Sequence, residues 1–540
     1  MKKILCLILL FAMLQYDGFA QQINIIPRPN KLTVLSGYLD LTKMRYVGYS
    51  ATTKAEATIL QCNLKKEYGL EVSLKADQYL DNSINLKVDV KLIDSLGKEG
   101  YKLIVSPSKI TLKAANQTGI YYGIQSLQQA IDISSDKKQL ALMTIEDKPR
   151  FEWRAFMLDE SRYFKGMAQV KLLLDEMARL KMNIFHWHLV DDQGWRIEIK
   201  KYPLLTELGS HRKSTQVGEK KWKSNKQSGE PHSGFYTQTQ IKEIVNYAAQ
   251  RHITVVPEIE MPGHSSAAVT AYPWLGTENK QIEMPVKFGR FFDIYDVSNP
   301  KVNNFIEDVL QEVFSMFPSK VIHIGGDEVS YDAWAKSSKV KAYMENNNLE
   351  TYADLQVHFT NRISRYIEKK DRRMMGWNEI MGINIHQDFE EKKSYKNAET
   401  SLAKNVIVHF WKGDINLLKQ AAQHGYDIVN SQNQFTYLDY AYSSISLQKA
   451  YDFNPIPNDL EPAFHNRIIG TGCQMWSEWI PTVGEMHYQV FPRLAAYAEV
   501  GWTNKDSKNY DQFKDALQPM LKIWETKGIY FATINDAEAK

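Results

Sequence analysis

Cysteine is scarce in this chain: three residues among 540, at Cys6, Cys62 and Cys473. So few, and so far apart, they exclude a disulfide framework. Equally missing is any dense block of Lys or Arg. With 66 basic residues against 63 acidic ones, the formal charge is +3, and nucleic acid is not an expected partner. After the N-terminus no apolar stretch approaches the roughly 20 residues that a membrane span requires, so no span is expected in the mature chain. Internal repeats and low-complexity tracts are absent. So is a glycine-rich phosphate loop behind the first strand, which a doubly wound nucleotide-binding sheet would carry. What is left is a composition ordinary for a soluble globular protein, 44% hydrophobic and 24% charged, in a chain long enough for two or three domains. Aromatic residues make up 12%, twelve of them tryptophan, a supply that suits stacking on sugar rings as well as core packing.

The N-terminus has the form of an export signal. Lys2 and Lys3 precede an apolar run from Ile4 to Leu14, and Gly18-Phe19-Ala20 stands before Gln21-Gln22. Cleavage is expected after Ala20, giving a periplasmic or extracellular protein. Cys6 lies inside the apolar run rather than at its end, which argues against a lipid anchor. Residues 21–149 read as a mixed α/β accessory domain. Tyr101–Val105 and Ile110–Ala114 predict a hairpin, and Thr118–Ile131 has helical spacing. A polar break at Lys148-Pro149-Arg150 marks the boundary.

From 150 to 503, strand-like and helical segments alternate as βα units. Strands are predicted at Arg154–Leu158, Asn183–Leu189, Thr254–Ile259, Val321–Ile324, Arg373–Trp377, Val406–Trp411, Asp427–Asn430 and Gly472–Trp476. Eight such units predict a closed (β/α)8 TIM barrel, preceded by the smaller α/β domain. Gly209–Gly234 is expected to be a long, mobile loop of the barrel, and 504–540 a helical segment packed on it.

In such a barrel the chemistry gathers at the carboxyl ends of the strands. There the sequence places Asp159, Arg162, His186, His188, Asp191, Asp192, Glu258, Glu260, His264, Asp327, Glu328, Trp377, Glu379, Trp411, Asp414, Tyr437, Asp439, Trp476 and Glu478. Carboxylates and tryptophans dominate, as glycosidic cleavage requires. Val321-Ile-His-Ile-Gly-Gly-Asp-Glu-Val329 ends an apolar strand in two small residues and two carboxylates. Read as strand neighbours, Asp327 and Glu328 point to opposite sides and are poorly placed to flank one bond as acid and nucleophile. A 2-acetamido group on the sugar can supply the missing nucleophile through its carbonyl oxygen. The plainer reading of such a pair is a cap on the next helix.

These segments resemble glycoside hydrolase family 20, the β-hexosaminidases, over nearly the whole mature chain. The resemblance is carried by Phe185-His-Trp-His-Leu-Val-Asp-Asp-Gln-Gly-Trp-Arg196, Pro257-Glu-Ile-Glu-Met-Pro-Gly-His264, His323-Ile-Gly-Gly-Asp-Glu328, Gly376-Trp-Asn-Glu379, Tyr437-Leu-Asp439, Gln474-Met-Trp-Ser-Glu478 and Pro492–Trp502. Glu99-Gly-Tyr-Lys-Leu103 and Tyr122-Gly-Ile-Gln125 extend it into the accessory domain. Val190 stands where the family usually has Thr. The resemblance implies an exo-acting, retaining β-N-acetylhexosaminidase that releases terminal GlcNAc or GalNAc through an oxazolinium-like intermediate. It implies Glu328 as general acid and base, Asp327 as orienter of the acetamido N–H, and Tyr437 as donor to the acetamido oxygen. Trp377, Trp411 and Trp476 would wall the pocket. Arg162 and Glu478 would grip ring hydroxyls, Asp439 the outer hydroxyls, and Asp191 with His264 would form a polar pair beside Glu328. No cofactor and no metal is implied.

Two other readings remain at this stage. His186-x-His188 resembles the pair of a metal-dependent barrel hydrolase, with Glu258 or Asp192 completing the ligands, although strand-end histidines more often orient loops. A non-catalytic glycan-binding protein is the other reading. Trp153, Trp187 and Trp195 are expected to pack rather than bind sugar, and Glu379 and Glu499 to make structural ion pairs.

Overall fold

The computed structural model describes residues 23–134, 136–289, 291, 293–383 and 396–538; the expected export segment and its cleavage site lie outside the described residues. Seven strands, β1 (Lys31–Asp40), β2 (Tyr46–Tyr49), β3 (Ser73–Ala76), β4 (Ser83–Val88), β5 (Tyr101–Val105), β6 (Lys109–Ala114) and β7 (Gln139–Asp147), form one mixed sheet in the order β1-β7-β5-β6-β4-β2-β3. β5 and β6 are the hairpin read from the sequence, with Val105 opposite Ile110. Their alternate residues Tyr101, Leu103, Val105, Ile110, Leu112 and Ala114 are buried, because a period of two puts them on one face. Helix Gln117–Asp132 covers this sheet. Its start is set by Asn116, whose side chain accepts from the N–H groups of Thr118 and Gly119, satisfying two of the donors a helix N-terminus leaves free.

Eight parallel strands then close into a barrel with helices around it: β8 (Trp153–Asp159), β9 (Ile184–His188), β10 (Thr254–Glu258), β11 (Val321–His323), β12 (Arg373–Trp377), β13 (Ile407–Phe410), β14 (Asp427–Asn430) and β15 (Ile468–Met475). β15 pairs back onto β8, Gly470 against Trp153, which completes the ring. Alternation along each strand separates two environments. Phe156, Leu158, Phe185 and Trp187 pack outward under the helices, in the main core. Trp153, Ala155, Ile184, Val256, Met375, Ile407 and Val429 point inward and fill the lower barrel with hydrocarbon. Two residues further along the same faces stand His186, Glu258, His323, Trp377 and His409, all buried. The interior therefore changes from apolar to polar toward the carboxyl ends, and this gradient is what places chemistry there.

The accessory sheet is fastened to the barrel through Asp147, the last residue of β7. Its carboxylate accepts from Asn30, Tyr101 Oη at 3.0 Å and Trp502 Nε1 at 2.8 Å, and lies 3.7 Å from the buried Lys181 ammonium. Arg154 of β8 reaches back to Glu99 at 2.8 Å. At the other end of the chain, helix Tyr510–Thr526 packs on the barrel helix Met167–Arg179: Trp524 Nε1 donates to Glu176 at 2.8 Å and Lys527 pairs with it at 2.6 Å. Cys62 is exposed and Cys473 buried, and both are free.

Three expectations need correction here. Gly209–Gly234 is not plain loop: His211–Arg212 pairs with His232–Ser233, Gln216 bridges Gln227, and the buried Arg212 donates to the Gln193 and Arg162 carbonyls. Glu499, expected in an ion pair, instead accepts from the Arg28 N–H and the Tyr451 hydroxyl, both at 3.1 Å, and burial lifts its carboxyl to about 7. The third concerns the paired carboxylates and belongs to the site.

Candidate active site

β11 ends at His323, so Asp327 and Glu328 do not lie in a strand and do not point to opposite sides. The backbone turns instead: φ is +65° at Gly325, +88° at Gly326 and +50° at Glu328. The first two values suit glycine, and a third in a residue with a Cβ is uncommon and strained. At Gly325 space is decisive as well, because a Cβ would stand 1.7 Å from Glu260 Oε2. The turn carries both carboxylates to the same imidazole. His264 Nε2 lies 3.8 Å from Asp327 Oδ2 and 3.6 Å from Glu328 Oε2. Neither residue caps the next helix, which begins at Asp332 after Tyr331.

On its other nitrogen His264 meets two carboxylates, Asp192 at 3.0 Å and Asp191 at 3.3 Å. Burial disfavours charge on that ring, but Asp191 and Asp192 outweigh it and hold His264 as an imidazolium. Asp191 is likewise buried, a penalty exceeded by Arg162 and then His264, and stays ionised. Asp327 is pushed the other way. Burial raises its pKa, the His264 charge lowers it, and Glu379 and Glu328 add to the rise.

Opposite this charged side stands an aromatic box of Met157, Trp377, Trp411, Tyr437 and Trp476. Trp377 ends β12, and Trp411 and Trp476 follow β13 and β15 directly. Tyr437 is brought in by a bridge to Gln474 of β15. Trp411 and Tyr437 are nearly parallel, with ring centres 5.9 Å apart and planes at 6°. Burial keeps the Tyr437 hydroxyl protonated, so it is available as a donor. Trp411 Nε1 donates to Glu379 Oε2 at 2.8 Å, which places Glu379 in the site rather than in a remote structural pair. Arg162 sits over Trp476 and is held by Asp191 at 2.6 Å, Asp159 at 3.3 Å and Gln193 at 3.1 Å, with Glu478 at 3.9 Å. Among the described residues, the polar atoms of this region that are buried without a hydrogen-bond partner include Asp327 Oδ1, Asp439 Oδ1, Glu260 Oε1 and Trp476 Nε1.

The residues read from the sequence as site candidates thus converge on one end of the barrel, except Asp414, which is exposed and caps helix Ile415–Gln423 by accepting from the Asn416 N–H. Missing from that reading are Asp192 as a second partner of His264, Glu379 beside Trp411, and Gln193 on Arg162. Their signal was position alone, since each lies within a few residues of a strand's carboxyl end. His186 and His323 approach Glu258 to 2.9 and 3.0 Å, and their ligand-type atoms lie within 4.8 Å of one another. These are spacings of direct contact between ring nitrogens and a carboxylate. Trp187 packs on Tyr236, Trp195 donates to the Ile197 carbonyl, and Trp153 lies in the lower barrel.

A (β/α)8 barrel with paired carboxylates facing an aromatic box at the carboxyl ends of its strands defines the class of carbohydrate-cleaving barrels. Comparison with known proteins gives the family. The model of the glycosyl hydrolase family 20 catalytic domain matches residues 151–505, and that of domain 2 of the same family matches 22–148. The chain belongs to glycosyl hydrolase family 20. It is 33% identical to a beta-hexosaminidase of Porphyromonas gingivalis across 96% of this chain, and spans 65% of that protein's length. A beta-hexosaminidase of Vibrio furnissii is also 33% identical, over 90% of this chain and 77% of its own. Among solved structures, an exo beta-N-acetylglucosaminidase of Vibrio harveyi in complex with N-acetylglucosamine superposes with a TM-score of 0.80 at 29% identity, covering 95% of this chain and 78% of that one. A beta-N-acetylhexosaminidase of Bacteroides fragilis gives 0.78 at 31%, covering 96% and 99%.

Proposed function

We propose that the protein is an exo-acting, retaining β-N-acetylhexosaminidase that removes terminal GlcNAc or GalNAc from glycans with the help of the substrate's own acetamido group. The observation that carries this reading is Asp327 Oδ1, a buried acceptor without a partner, beside the aromatic box that holds Tyr437. An amide N–H is the donor that such an atom lacks, and a buried acceptor left alone is costly.

In the first step the acetamido carbonyl oxygen attacks the anomeric carbon while Glu328 gives its proton to the departing glycosidic oxygen. Asp327 holds the amide N–H and balances the positive charge of the oxazolinium-like ring. Tyr437 donates to the acetamido oxygen and steadies it for attack. Glu328, now a carboxylate near the His264 cation, takes a proton from water in the second step, and attack on the same face restores the β configuration. Trp377, Trp411 and Trp476 wall a pocket for one ring. Arg162, Glu478 and Asp439 take its hydroxyls, and burial, which raises the latter two carboxyls, favours forms that can donate as well as accept.

The test compares aryl β-N-acetylglucosaminide with aryl β-glucoside. The glucoside has no internal nucleophile, and its cleavage is expected to be slower by about a hundredfold or more; comparable rates would dismiss acetamido participation. Export belongs to the same proposal, supported by Lys2, Lys3 and the apolar run that follows them. Mass analysis of the mature N-terminus should find Gln21 first, and an intact Met1 end in the secreted fraction would refute cleavage.

A further inference from the structure

Directly beneath the pocket, β9 and β10 end in two buried residues to which the reaction above gives no part, His188 and Glu258. Glu258 Oε2 accepts from His188 Nδ1 at 2.6 Å and Oε1 accepts from Trp377 Nε1 at 2.8 Å. The other nitrogen of His188 reaches Asp191 Oδ2 at 3.1 Å. A ring with a carboxylate oxygen on each nitrogen satisfies both only when both nitrogens carry a proton, that is, as the imidazolium. Asp191 then holds Arg162 and the His264 nitrogen whose opposite side faces Asp327 and Glu328. Charges therefore alternate along one connected path: Glu258 negative, His188 positive, Asp191 negative, His264 positive, and then the two reacting carboxylates.

We propose that Glu258 and His188 are positioning residues for the reaction, the buried Glu258 carboxylate holding His188 as a cation that fixes Asp191, and through His264 the pair Asp327 and Glu328, while its second oxygen fixes the Trp377 wall. The inference rests on the reading of the site as a hexosaminidase. The groups facing His188 are consistent with it. Glu258 approaches from β10, Asp191 from the following turn, Asp159 from β8 and Glu260 from the segment after β10; His186 on its own strand is the opposing imidazole, and Trp476 presents its ring at 4.9 Å. Burial works against the charge, and Glu258 with Asp191 outweigh it, lifting His188 to about 10. A neutral ring would withdraw one donor from a buried carboxylate.

The test uses the full chain and a dinitrophenyl β-N-acetylglucosaminide, whose phenol departs without a proton from Glu328, so that the limbs of the pH profile of kcat/KM report the remaining groups. Loss of the cation makes the carboxylates along this path easier to protonate, and Asp327, already raised by burial, is the one whose protonation the acidic limb reports. His188→Gln should therefore move the acidic limb up by about one pH unit and lower kcat/KM at the optimum about tenfold or more. In Glu258→Gln the ring keeps one carboxylate of two and gives up its proton sooner, so the profile narrows from its alkaline side. Asn430→Ala is the packing control. That side chain is buried at the end of β14 but bonds to the Pro455 carbonyl and the Gln432 N–H, and both limbs should stay in place. An acidic limb of folded His188→Gln at the wild-type position overturns the proposal; if that variant does not fold, an unmoved alkaline limb in Glu258→Gln does so. Wild type failing to cleave the substrate at all would strike the hexosaminidase reading instead.

Discussion

Asp327 and Glu328 differ by one methylene and share one imidazole neighbour, yet the proposed reaction asks different things of them. In the proposed reaction Glu328 supplies a proton, which matters most when the leaving group is a sugar alcohol and least when it is an acidic phenol. Glu328→Ala should retain a measurable first step on an activated aryl substrate and lose most turnover on an oligosaccharide. The role proposed for Asp327 is to answer charge on the acetamido group whatever departs, an electrostatic contribution of about 2.7–4 kcal/mol by analogy with one preorganised oxyanion donor. Asp327→Asn should slow both substrates by about two to three orders of magnitude. Pre-steady-state rates across a leaving-group series would show it, and the steeper dependence in Asp327→Asn would exchange the two roles. At this scale the sequence was informative about residue identity and, through the family resemblance, about the Asp191–His264 pair beside Glu328, but not about the further contacts. The motif residues were legible, but that His264 stands between four carboxylates, those of Asp191, Asp192, Asp327 and Glu328, arises from three separate loops meeting in space, which spacing along a chain does not encode.

Among the elements, the turn after β11 departs furthest from its sequence reading. The run Val321–Ile324 reads as a strand continuing into the carboxylates, since apolar alternation says where a strand can start but not where glycines will turn it. The structure ends the strand at His323 and folds Gly325 over Glu260. Gly325→Ala should be severe for two reasons, the positive φ and the side-chain atom 1.7 Å away. Displacing Glu260 and the turn moves Asp327 and Glu328 together, and a 1 Å misplacement is enough for about a hundredfold loss. Kinetics with an aryl substrate on folded protein would check it, and a variant with wild-type kcat would show that the turn tolerates a Cβ. The other barrel strands were legible within a residue or two, except that β15 begins at Ile468 rather than near Gly472. There Ile468, Ile469 and Gly470 follow a helical turn without alternation, leaving pairing to Ile428 and Val429 of β14 and to Trp153 of β8 to define the strand.

Over the whole molecule, the seam between sheet and barrel depends on a buried charge that no sequence pattern announces. Asp147 accepts from Asn30, Tyr101 and Trp502 and faces a Lys181 ammonium that is itself fully buried, whose pKa burial lowers to about 8 against the pull of Asp147. Asp147→Ala would take the counter-charge from that ammonium and the acceptor from four donor groups at once, a loss of about 3–5 kcal/mol. Calorimetry should show both domains melting earlier in one transition, whereas an unchanged melting temperature would mean that water replaces the carboxylate. The consequence reaches beyond stability. A sheet tied to its barrel by a shared ion cannot be inherited, trimmed or transplanted as a separate module, because a barrel cut free at Lys148 would carry an ammonium and the Trp502 indole on a newly exposed face. The two parts are therefore expected to travel through evolution, and through any engineering of this enzyme, as a single indivisible unit.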